Sequence, residues 1–412
     1  MKITVLTLGC KVNQSESTVI EGNLQKNGHS LVKLSEHPDI CIINTCTVTA
    51  KSDYQSRQLI RRALRESSQV YVTGCYAEMN REEIQSIDGK ILIFDNNNKY
   101  SMINAIDNNS ESITFNYSLR ARPSIKIQDG CNMTCSYCIV PLARGKSQSV
   151  QPYEIIERIR SLEDEGYNEV VLTGIHIGSY GYDLNPKLKL SDMMKMILRK
   201  TMIKRIRISS LEAHEINEEL LDNFSEERIC RHIHLPLQSG DDKILKFMNR
   251  KYTVREYRKV VEQIMHNIPG IALGTDIIAG FPGESENEFK NTMIFLEELP
   301  FSYLHVFPYS NRPNTIASQM QGQVASSVKK ERCVVLNHLN RAIKKRYAES
   351  QIGRKLAIVI EERGNDGTAS GTSSNYLKVR VSSNSCPVKS LVHVGIKRRE
   401  EYTLIGNPLQ NQ

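Results

Sequence analysis

Three cysteines, Cys131, Cys135 and Cys138, lie within the eight residues CNMTCSYC. Disulfides take thiols in pairs and a structural zinc site takes four ligands, so three neighbouring thiols fit neither use. A cubane [4Fe–4S] cluster has four iron corners and prefers soft thiolate sulfur. Three thiolates in this spacing would hold three corners and leave the fourth iron open to a substrate or cofactor. A zinc site completed by a histidine is the alternative interpretation.

Three further cysteines, Cys10, Cys46 and Cys75, each stand at or just past the end of a short apolar segment. The segments KITVLTLG, DICIINT, QVYVTG and KILIFD are predicted strands. Helical patterns lie between them, near 15–27, 52–66 and 80–86. This alternation predicts a parallel α/β sheet, whose ligands bind at the carboxyl edge of the strands. A second three-thiol site is therefore predicted there, although any one of these cysteines alone could be a buried thiol without a ligand role.

Between about 119 and 325 the alternation continues with longer units. Six segments are predicted strands: SIKIQD, EVVLTG, RIRISS, HIHLPLQ, ALGTDII and YLHVFPY. Helical patterns such as PYEIIERIRSLEDEG and SENEFKNTMIFLEEL lie between them. Six such units predict an α/β domain of the (βα)6 partial TIM-barrel type, with its active site at the carboxyl ends of the strands. The triplet that begins at Cys131 directly follows the first of these strands.

The carboxyl-terminal part of the chain is basic. Residues 326–412 hold 16 Lys and Arg against 7 Asp and Glu, while the rest of the chain holds 38 against 39. A helix is predicted over 327–350, and the following segments KLAIVIEE, NYLKVRV and SLVHVGIKRREEYTLIG predict a small β-barrel. A solvated helix face would explain the charge of the helix alone. A basic end on a neutral body favours a nucleic-acid partner.

Composition places the chain among globular proteins of two or three domains. Its 412 residues are 40% hydrophobic and 24% charged, which is ordinary for such proteins. No apolar run approaches the ~18 residues of a membrane span, and the start MKITVLTLGCKVNQ does not resemble a signal peptide. We therefore expect a cytoplasmic protein without membrane contact. In a reducing compartment the ten cysteines are better explained as ligands or catalytic groups than as disulfides.

The motif CNMTCSYC resembles the signature of the radical S-adenosylmethionine (SAM) enzymes. The resemblance implies that Cys131, Cys135 and Cys138 hold a [4Fe–4S] cluster whose open iron binds SAM. The motifs GCKVNQSE (9–16), INTC (43–46) and TGC (73–75) resemble the amino-terminal domain of the methylthiotransferases. That likeness implies an auxiliary [4Fe–4S] cluster held by Cys10, Cys46 and Cys75.

Longer stretches are similar to the branch of this family that acts on N6-threonylcarbamoyladenosine in tRNA. They are RPSIKIQDGCNMTCSYCIVPLARG, LTGIHIGSYG (172–181), HLPLQSGDDKILKFMNRKYT (234–253), DIIAGFPGE (276–284) and LHVFPYSNRPNT (304–315). The final segment, with SGTSSNYLKVRV, resembles a TRAM domain, a small β-barrel that binds RNA. The resemblance covers about 1–410 and implies three domains: 1–118 with the auxiliary cluster, 119–350 as the radical SAM core, and 351–412 as the RNA-binding barrel.

The activity implied is replacement of the C2 hydrogen of that nucleoside, at position 37 beside the anticodon, by a methylthio group. One SAM would donate its methyl to sulfur at the auxiliary cluster, and another would supply the 5′-deoxyadenosyl radical. The partners implied are the tRNA anticodon loop, an electron donor such as flavodoxin or ferredoxin, and a sulfur source. Alternatives are the same chemistry on isopentenyladenosine in tRNA or on a ribosomal-protein aspartate, and a non-catalytic iron–sulfur regulator that binds RNA.

The resemblance also suggests contacts to SAM and to RNA. Thr173 and Gly174 would present backbone to SAM, since glycine allows close approach. Glu212 and Gln238 follow the third and fourth strands of the core as candidate SAM contacts, and Arg144 would balance the charge of the cluster and the SAM carboxylate. The candidate RNA-binding residues, by phosphate contact or base stacking, are Tyr376, Lys378, Arg380, Lys397, Arg398 and Arg399.

Three positions depart from the pattern of the relatives. Gln148 stands where arginine is expected, and Ala213 stands where proline is common. Asn314 replaces a common glycine, and asparagine tolerates the left-handed backbone region better than most residues. We therefore expect the loop at Asn314 to keep its conformation. None of the three changes is a cysteine, so the chemistry implied by the resemblance is unaffected.

Overall fold

A computed structural model describes residues 1–107, 120–382 and 386–409 of the chain. The predicted boundary between residues 118 and 119 lies outside the described residues. No helix in the described ranges has the length and apolar character needed to cross a membrane. The elements fall into an amino-terminal sheet, a central set of βα units and a carboxyl-terminal barrel, in agreement with the predicted fold class.

The amino-terminal part is a five-stranded parallel sheet in the order β2-β1-β3-β4-β5 with helices around it. Its strands are β1 (Lys2–Thr7), β2 (Ser30–Leu31), β3 (Ile40–Thr45), β4 (Gln69–Gly74) and β5 (Leu92–Ile93). Its helices are α1 (Lys11–Lys26), α2 (Ala50–Glu66), α3 (Cys75–Met79), α4 (Arg81–Ile87) and α5 (Ser101–Asp107). Strand β3 is buried along its whole length, as expected for the centre of a sheet covered on both faces. The adjacent strands β1, β3 and β4 therefore end side by side.

The central part contains the six predicted strands and a short hairpin. Its strands are β6 (Ser124–Lys126), β7 (Gln128–Asp129), β8 (Gln148–Ser149), β9 (Glu169–Thr173), β10 (Arg205–Ile208), β11 (His232–His234), β12 (Ala272–Ala279) and β13 (Tyr303–Pro308). Its helices are α6 (Val140–Arg144), α7 (Pro152–Asp164), α8 (Leu190–Lys200), α9 (Glu218–Asp222), α10 (Asp242–Phe247), α11 (Val254–Asn267), α12 (Glu286–Glu298) and α13 (Ser326–Glu349). Single 3₁₀ turns occur at Leu34–Glu36, Ile177–Ser179, Ala213–Glu215, Asn223–Ser225 and Ile316–Gln319.

These central strands form two parallel three-stranded sheets, β10-β9-β6 and β11-β12-β13, that together make the partial barrel. The two sheets meet through the parallel bridge between Ile206 and Ile229 and the bond from the Leu211 amide to the His234 carbonyl (2.9 Å). Apolar faces of the surrounding helices bury one continuous core against the strands. All six strands run parallel, so their carboxyl ends meet at one mouth.

The segment SIKIQD is two strands rather than the single strand predicted. Strand β6 ends at Lys126, and β7 pairs antiparallel with β8 instead of continuing the barrel. The side-chain amide of Gln128 donates to the Gly130 carbonyl (2.7 Å) and to the Ser147 hydroxyl (2.9 Å). These bonds fix a turn immediately before Cys131, and that local chemistry outweighs the continuous β pattern.

The carboxyl-terminal part is a closed five-stranded barrel in the order β14-β15-β16-β18-β17. Its strands are β14 (Lys355–Arg363), β15 (Thr368–Ser373), β16 (Lys378–Ser382), β17 (Leu391–Glu400) and β18 (Thr403–Pro408). The predicted small β-barrel is confirmed. Strand β15 was not predicted because TASGTS is polar and rich in small residues. Helix α13 precedes the barrel and packs Leu336 and Ile343 into the central core, which leaves the opposite face to solvent.

Candidate active site

The strand order of the amino-terminal sheet brings Cys10, Cys46 and Cys75 to one edge. Cys10 follows β1 and precedes α1, Cys46 follows β3, and Cys75 follows β4 as the first residue of α3. Because β1, β3 and β4 are neighbours and parallel, the three thiols lie at the carboxyl ends of adjacent strands. Cys10 is exposed, whereas Cys46 and Cys75 are buried. The predicted second three-thiol arrangement thus has a physical basis in the sheet.

The loops that carry these cysteines approach closely. Gly9 has a φ of +96°, and a Cβ on it would lie 2.8 Å from the Sγ of Cys46. The Asn13 amide nitrogen donates to the carbonyls of Leu8 (2.8 Å) and Thr45 (2.9 Å), which ties the two loops together. Cys10 is the N-cap residue of α1, which places it at the start of that helix.

The second trio lies in the loop between β7 and α6. The Met133 amide donates to the Sγ of Cys131 (3.4 Å), and the Cys138 amide donates to the Cys135 carbonyl (3.1 Å). The hydroxyl of Ser136 donates to the Phe247 carbonyl (2.7 Å), which anchors the loop to the end of α10. The loop therefore holds three sulfurs over the mouth of the barrel.

The sulfurs of each trio are spread more widely than the ligands of a single metal ion. A tetrahedral zinc ion with Zn–S bonds of about 2.3 Å draws its sulfurs to roughly 3.8 Å of one another. Among the described residues, two groups of potential ligands have all their ligand atoms within 4.8 Å, and neither includes a cysteine of these trios. The wider separation suits irons spread over the corners of a cubane. The donor sets fit [4Fe–4S] clusters better than zinc.

One buried guanidinium donates a hydrogen bond to a sulfur of each trio. Arg144 donates from Nε to the Sγ of Cys75 (3.2 Å), and Arg250 donates from Nη1 to the Sγ of Cys135 (3.4 Å). Burial disfavours the charge of Arg144, but Glu16 and Cys75 outweigh it and raise the pKa of the guanidinium. Hydrogen bonds from cations to sulfur stabilise the charged form of a thiolate. Arg250 was missed by the sequence analysis, since it is 115 residues from Cys135 and no motif links them.

Arg144 also ties the two cysteine-bearing regions together. Its Nη1 lies 3.0 Å from Glu16 on α1 and 2.8 Å from Asp129 on β7. Glu16 is fully buried and is also paired with Lys99 (2.5 Å) and Lys126 (2.9 Å). Burial opposes ionisation of Glu16, yet Lys126, Lys99 and Arg144 together hold the pKa of its carboxyl well below the ordinary range. Five charges from both sheets thus form one buried network.

The buried thiols are not poised as free nucleophiles. Burial raises the pKa of Cys75 to about 11 and that of Cys138 to about 12. A protonated thiol attacks poorly at neutral pH, and a coordinated metal removes its proton outright. Burial therefore keeps the unligated thiols unreactive, and a bound metal would hold them as thiolates.

A cavity of about 250 Å³ lies between the two cysteine loops. One side is formed by Val48 and Thr49, which follow Cys46, and the other by Cys138 and the ends of the barrel strands at Gln238 and Asp276. The mouth of the barrel and the edge of the amino-terminal sheet therefore face a common space. That arrangement suits two metal centres acting on one bound molecule.

Direct contacts hold the amino-terminal sheet over the mouth. Arg312, in the loop after β13, donates from Nη2 to the Thr47 hydroxyl (2.9 Å) and to the Asp53 carboxylate (2.6 Å). The Ser310 hydroxyl accepts from the amide of Ala50 (2.9 Å). Thr47, Ala50 and Asp53 all follow Cys46 closely, so these bonds fix that cysteine relative to the barrel.

Comparison with known proteins decides the family. A model of the radical SAM superfamily matches residues 125–296, and a model of the uncharacterized protein family UPF0004 matches residues 2–94. The "threonylcarbamoyladenosine tRNA methylthiotransferase MtaB" of Bacillus subtilis is 37% identical, over 95% of this chain and 92% of its own length. The chain belongs to the radical SAM methylthiotransferase family. A "tRNA-2-methylthio-N(6)-dimethylallyladenosine synthase" of Acetivibrio thermocellus is 30% identical over 97% of this chain and 89% of its own.

The fold agrees with this assignment. The solved structure of TsrM from Kitasatospora setae, described as a radical SAM methyltransferase, has a TM-score of 0.56 at 13% identity and covers 77% of this chain and 74% of its own. Membership of the family confirms the prediction of a radical SAM methylthiotransferase that uses SAM and [4Fe–4S] clusters. The assignment of individual residues to the clusters, to SAM and to RNA stays a prediction.

Two of the residues predicted to contact SAM end the second barrel strand. Thr173 is buried, and its carbonyl accepts from the Ile127 amide (2.9 Å). A Cβ on Gly174 would lie 2.8 Å from the Oε1 of Gln128. In this methylthiotransferase the group packed closely against Gly174 is therefore the side chain of Gln128, which also fixes the turn before Cys131.

The other candidate SAM contacts are distributed around the cavity. Glu212 forms a salt bridge with Arg250, so the carboxylate lies one side chain away from Cys135. Gln238 lines the cavity beside Cys138 and has a φ of +72°. Arg144, as described above, is engaged by Glu16 and Asp129 and contacts Cys75 of the other trio.

Five of the predicted RNA contacts lie on the carboxyl-terminal barrel. Lys378, Arg380 and Arg398 are exposed, and the last two share Glu400. Lys397 is exposed, whereas Arg399 is partly buried against Glu349 (3.1 Å). Arg380 and Arg398 are therefore close together, and the basic residues of β16 and β17 are called the basic face below.

Tyr376 lies apart from this face. It enters the interior of the partial barrel, where its ring stacks on His232 with the centroids 4.4 Å apart. The guanidinium of Arg207 lies 5.3 Å from the same ring. The sequence could place Tyr376 on the small barrel but could not show that the turn before β16 points into the larger one.

Proposed function

We propose that this methylthiotransferase converts N6-threonylcarbamoyladenosine at position 37 of tRNA into its 2-methylthio derivative. The observation that carries the proposal is a cavity lined by Cys138 of one trio and by Val48 and Thr49, which follow Cys46 of the other trio, in a chain that is 37% identical to relatives named for that nucleoside. Cys131, Cys135 and Cys138 would hold the core cluster. Cys10, Cys46 and Cys75 would hold the auxiliary cluster. The proposed modules are 1–118, 119–350 and 351–412.

When bound, the core cluster supplies the electron that cleaves SAM, and the auxiliary cluster carries the sulfur that is transferred. The residues of the chain have positioning roles. Arg250 orients the Cys135 sulfur and is itself fixed by Glu212, while Gln238 and Thr173 would contact SAM at the mouth of the barrel. Val48 and Thr49 narrow the cavity from the other side, which limits the access of water to a radical.

The remaining partners follow from the same chemistry. Reduction requires a one-electron donor such as flavodoxin or ferredoxin, and each turnover consumes sulfur that a separate source must restore. The basic face formed by Lys378, Arg380, Lys397, Arg398 and Arg399 would contact tRNA phosphates. We propose that the reaction takes place in the cytoplasm, where the tRNA substrate and the reductants are found.

The test is an anaerobic assay of the reconstituted full-length protein with SAM, reductant and tRNA carrying the nucleoside. Mass spectrometry of the digested tRNA should show a gain of one methylthio group, together with 5′-deoxyadenosine. Both should vanish in Cys135→Ala and persist in the matched variant Cys333→Ala, which changes a partly buried cysteine on α13 outside both trios.

The outcomes separate the alternatives. Product could instead form on tRNA that carries dimethylallyladenosine (the isopentenyladenosine named above) and not on tRNA that carries threonylcarbamoyladenosine. The function would then be the one named for relatives at 30–31% identity. Product on a ribosomal-protein aspartate would assign the protein to the branch of the family that modifies that residue. Loaded clusters with RNA binding but no 5′-deoxyadenosine would favour the regulator hypothesis.

A further inference from the structure

Three arginines share two carboxylates in the partial barrel. Glu169, fully buried on β9, faces Arg205 (2.7 Å), Arg207 (2.8 Å) and Arg122 (3.4 Å). Arg122 also pairs with Glu361 of the small barrel (2.8 Å). Two carboxylates thus serve three guanidiniums. Charges taken out of water need such partners, because their desolvation is costly.

The guanidinium groups use their remaining donors to hold the small barrel in place. Arg207 donates to the carbonyls of Ser373 (2.8 Å) and Ser374 (3.0 Å), and Arg205 donates to the carbonyl of Ala357 (3.1 Å). These bonds hold the turn before β16 inside the larger barrel. The three arginines are therefore occupied by structural partners.

Tyr376 ends this turn and forms a surface inside the barrel. Its φ of +67° is costly for a residue with a Cβ, and its amide is held by the Ser373 carbonyl (3.0 Å). The phenol ring stacks on His232 and approaches Tyr303, with centroids 4.4 and 5.8 Å apart. A strained backbone that holds an aromatic ring in a polar interior is typical of a binding site.

Lys11 reaches the same ring from the amino-terminal part of the chain. Its Nζ lies 5.4 Å from the centroid of Tyr376. Within the described ranges, no hydrogen bond or ion pair of this ammonium group is found, whereas the nearby Arg207 and Arg122 have carboxylate or carbonyl partners. Lys11 is also the residue next to Cys10. It therefore joins the auxiliary three-thiol edge to the interior of the barrel.

We propose that Lys11, above the ring of Tyr376, binds the carboxylate of the threonylcarbamoyl group of the substrate nucleoside. This inference rests on the proposed function. A base whose C2 receives sulfur at the auxiliary site would lie near the sheet edge that carries Cys10, and its N6 substituent projects from the same ring. An anion there would form an ion pair with the ammonium group of Lys11. It would also offset the positive charge of Lys11 and the three arginines, which share two carboxylates. A neutral dimethylallyl group offers no such partner, so Lys11 would set specificity.

Binding to synthetic anticodon stem-loops tests the assignment without requiring turnover. One stem-loop carries threonylcarbamoyladenosine, and the other carries the same nucleoside with a neutral carboxamide in place of the carboxylate. The wild-type protein with both clusters loaded should bind the acid more tightly, by about 10- to 100-fold, the range of a charge-assisted hydrogen bond. Lys11→Gln should abolish this preference by weakening only the acid complex. Lys11→Arg should retain most of it.

Lys26→Gln is the matched control, since Lys26 is exposed at the far end of the same helix and should leave the preference unchanged. Iron content per chain verifies that each variant holds its clusters. Equal binding of the two stem-loops by the wild type would overturn the inference, as would a preference that survives in Lys11→Gln. So would a loss of SAM affinity in Lys11→Gln with the preference intact, which would assign the lysine to the SAM carboxylate. If the preference for the acid stem-loop depends on Lys11 but the anaerobic assay gives no methylthio product, the binding role of Lys11 stands and the proposed reaction is refuted.

Discussion

At the scale of single residues, the site depends on buried arginines as much as on cysteines. Arg144 was expected near the core cluster and SAM, and it does lie at the end of α6 after the Cys131 loop. Its side chain, however, contacts Cys75 and Glu16, which belong to the amino-terminal part. The residue type and the sign of its charge were informative. The direction of the side chain depends on a carboxylate 128 residues away.

The substitution Arg144→Met tests this role at the auxiliary site. It leaves Glu16 paired with Lys99 and Lys126 but removes the cation beside Cys75. Removing one partner of a buried network costs about 3–5 kcal/mol. We expect a lower Tm and loss of iron from the auxiliary cluster. Iron is best measured in a background that carries Cys131→Ala, Cys135→Ala and Cys138→Ala, where any remaining cluster is the auxiliary one.

Arg81→Met supplies the comparison for that experiment. Arg81 pairs with Asp95 (2.7 Å) on the surface of the same sheet, with about half of each side chain exposed. Such pairs contribute about 0–1 kcal/mol. Retention of full auxiliary iron in Arg144→Met would show that the bond to Cys75 is incidental.

At the scale of elements, the sequence predicted what periodic patterns encode. The long apolar strands β3, β9 and β12 were recognised because burial on both faces requires continuous hydrophobic residues. The two-residue strands β2 and β8 were missed, and β7 was predicted only as the end of one longer strand, since elements so short are held by tertiary contacts rather than by their own pattern. Strand β15 was missed for its polar residues.

The residues of the candidate site also fall into those that a sequence pattern indicates and those that only tertiary contacts bring to the site. The six cysteines were predictable because a motif fixes one trio and strand order fixes the other. Arg250 and Lys11 were not predicted, and Tyr376 was predicted as an RNA contact rather than as a residue of the barrel interior, because each contacts residues more than a hundred positions away. Sequence spacing carries no information about such contacts. They follow from how the three parts of the chain pack together.

The loop after β13 provides a prediction at this scale. Asn314 has a φ of +66°, in agreement with the expectation that asparagine preserves the backbone of the usual glycine. Asn314→Ala should lower the free energy of unfolding by about 1 kcal/mol, since alanine in the left-handed region is strained and its side chain makes no local hydrogen bond. Asn314→Gly should change stability by less than half of that. Thermal unfolding of the three proteins measures both differences, and equal Tm values for the alanine variant and the wild type would contradict the argument.

At the scale of the whole molecule, three parts of the chain converge inside the partial barrel. Lys11 comes from the amino-terminal sheet, Glu169 and Arg207 from the central strands, and Tyr376 from the small barrel. The proposed RNA-binding barrel is therefore attached through the same interior that would receive the substrate. If tRNA binds the basic face as proposed, this arrangement would link that binding to insertion of the base.

The attachment should depend on Glu169 and should be insensitive to pH near neutrality. Burial opposes its ionisation, but Arg205, Arg207 and Arg122 lower the pKa of the carboxyl to about 2, from an ordinary value of 4.5. A depressed carboxyl pKa contributes stability above the unfolded value and loses it only as the pH falls from 4.5 toward 2. Glu169→Gln leaves the three arginines with one carboxylate fewer. It should lower the free energy of unfolding by about 3–5 kcal/mol.

Thermal unfolding of the wild type and Glu169→Gln between pH 5.5 and 8 measures this effect. The difference in Tm should stay constant across the range, because Glu169 remains ionised throughout. Glu157→Gln is the matched control, since Glu157 pairs with Arg160 (2.9 Å) on an exposed helix face and should shift Tm little. A difference that shrinks between pH 8 and 5.5 would mean that Glu169 titrates near neutrality, in which case the arginines do not hold it charged. A constant difference would establish that a permanently ionised carboxylate fixes the small barrel to the barrel that carries the active site.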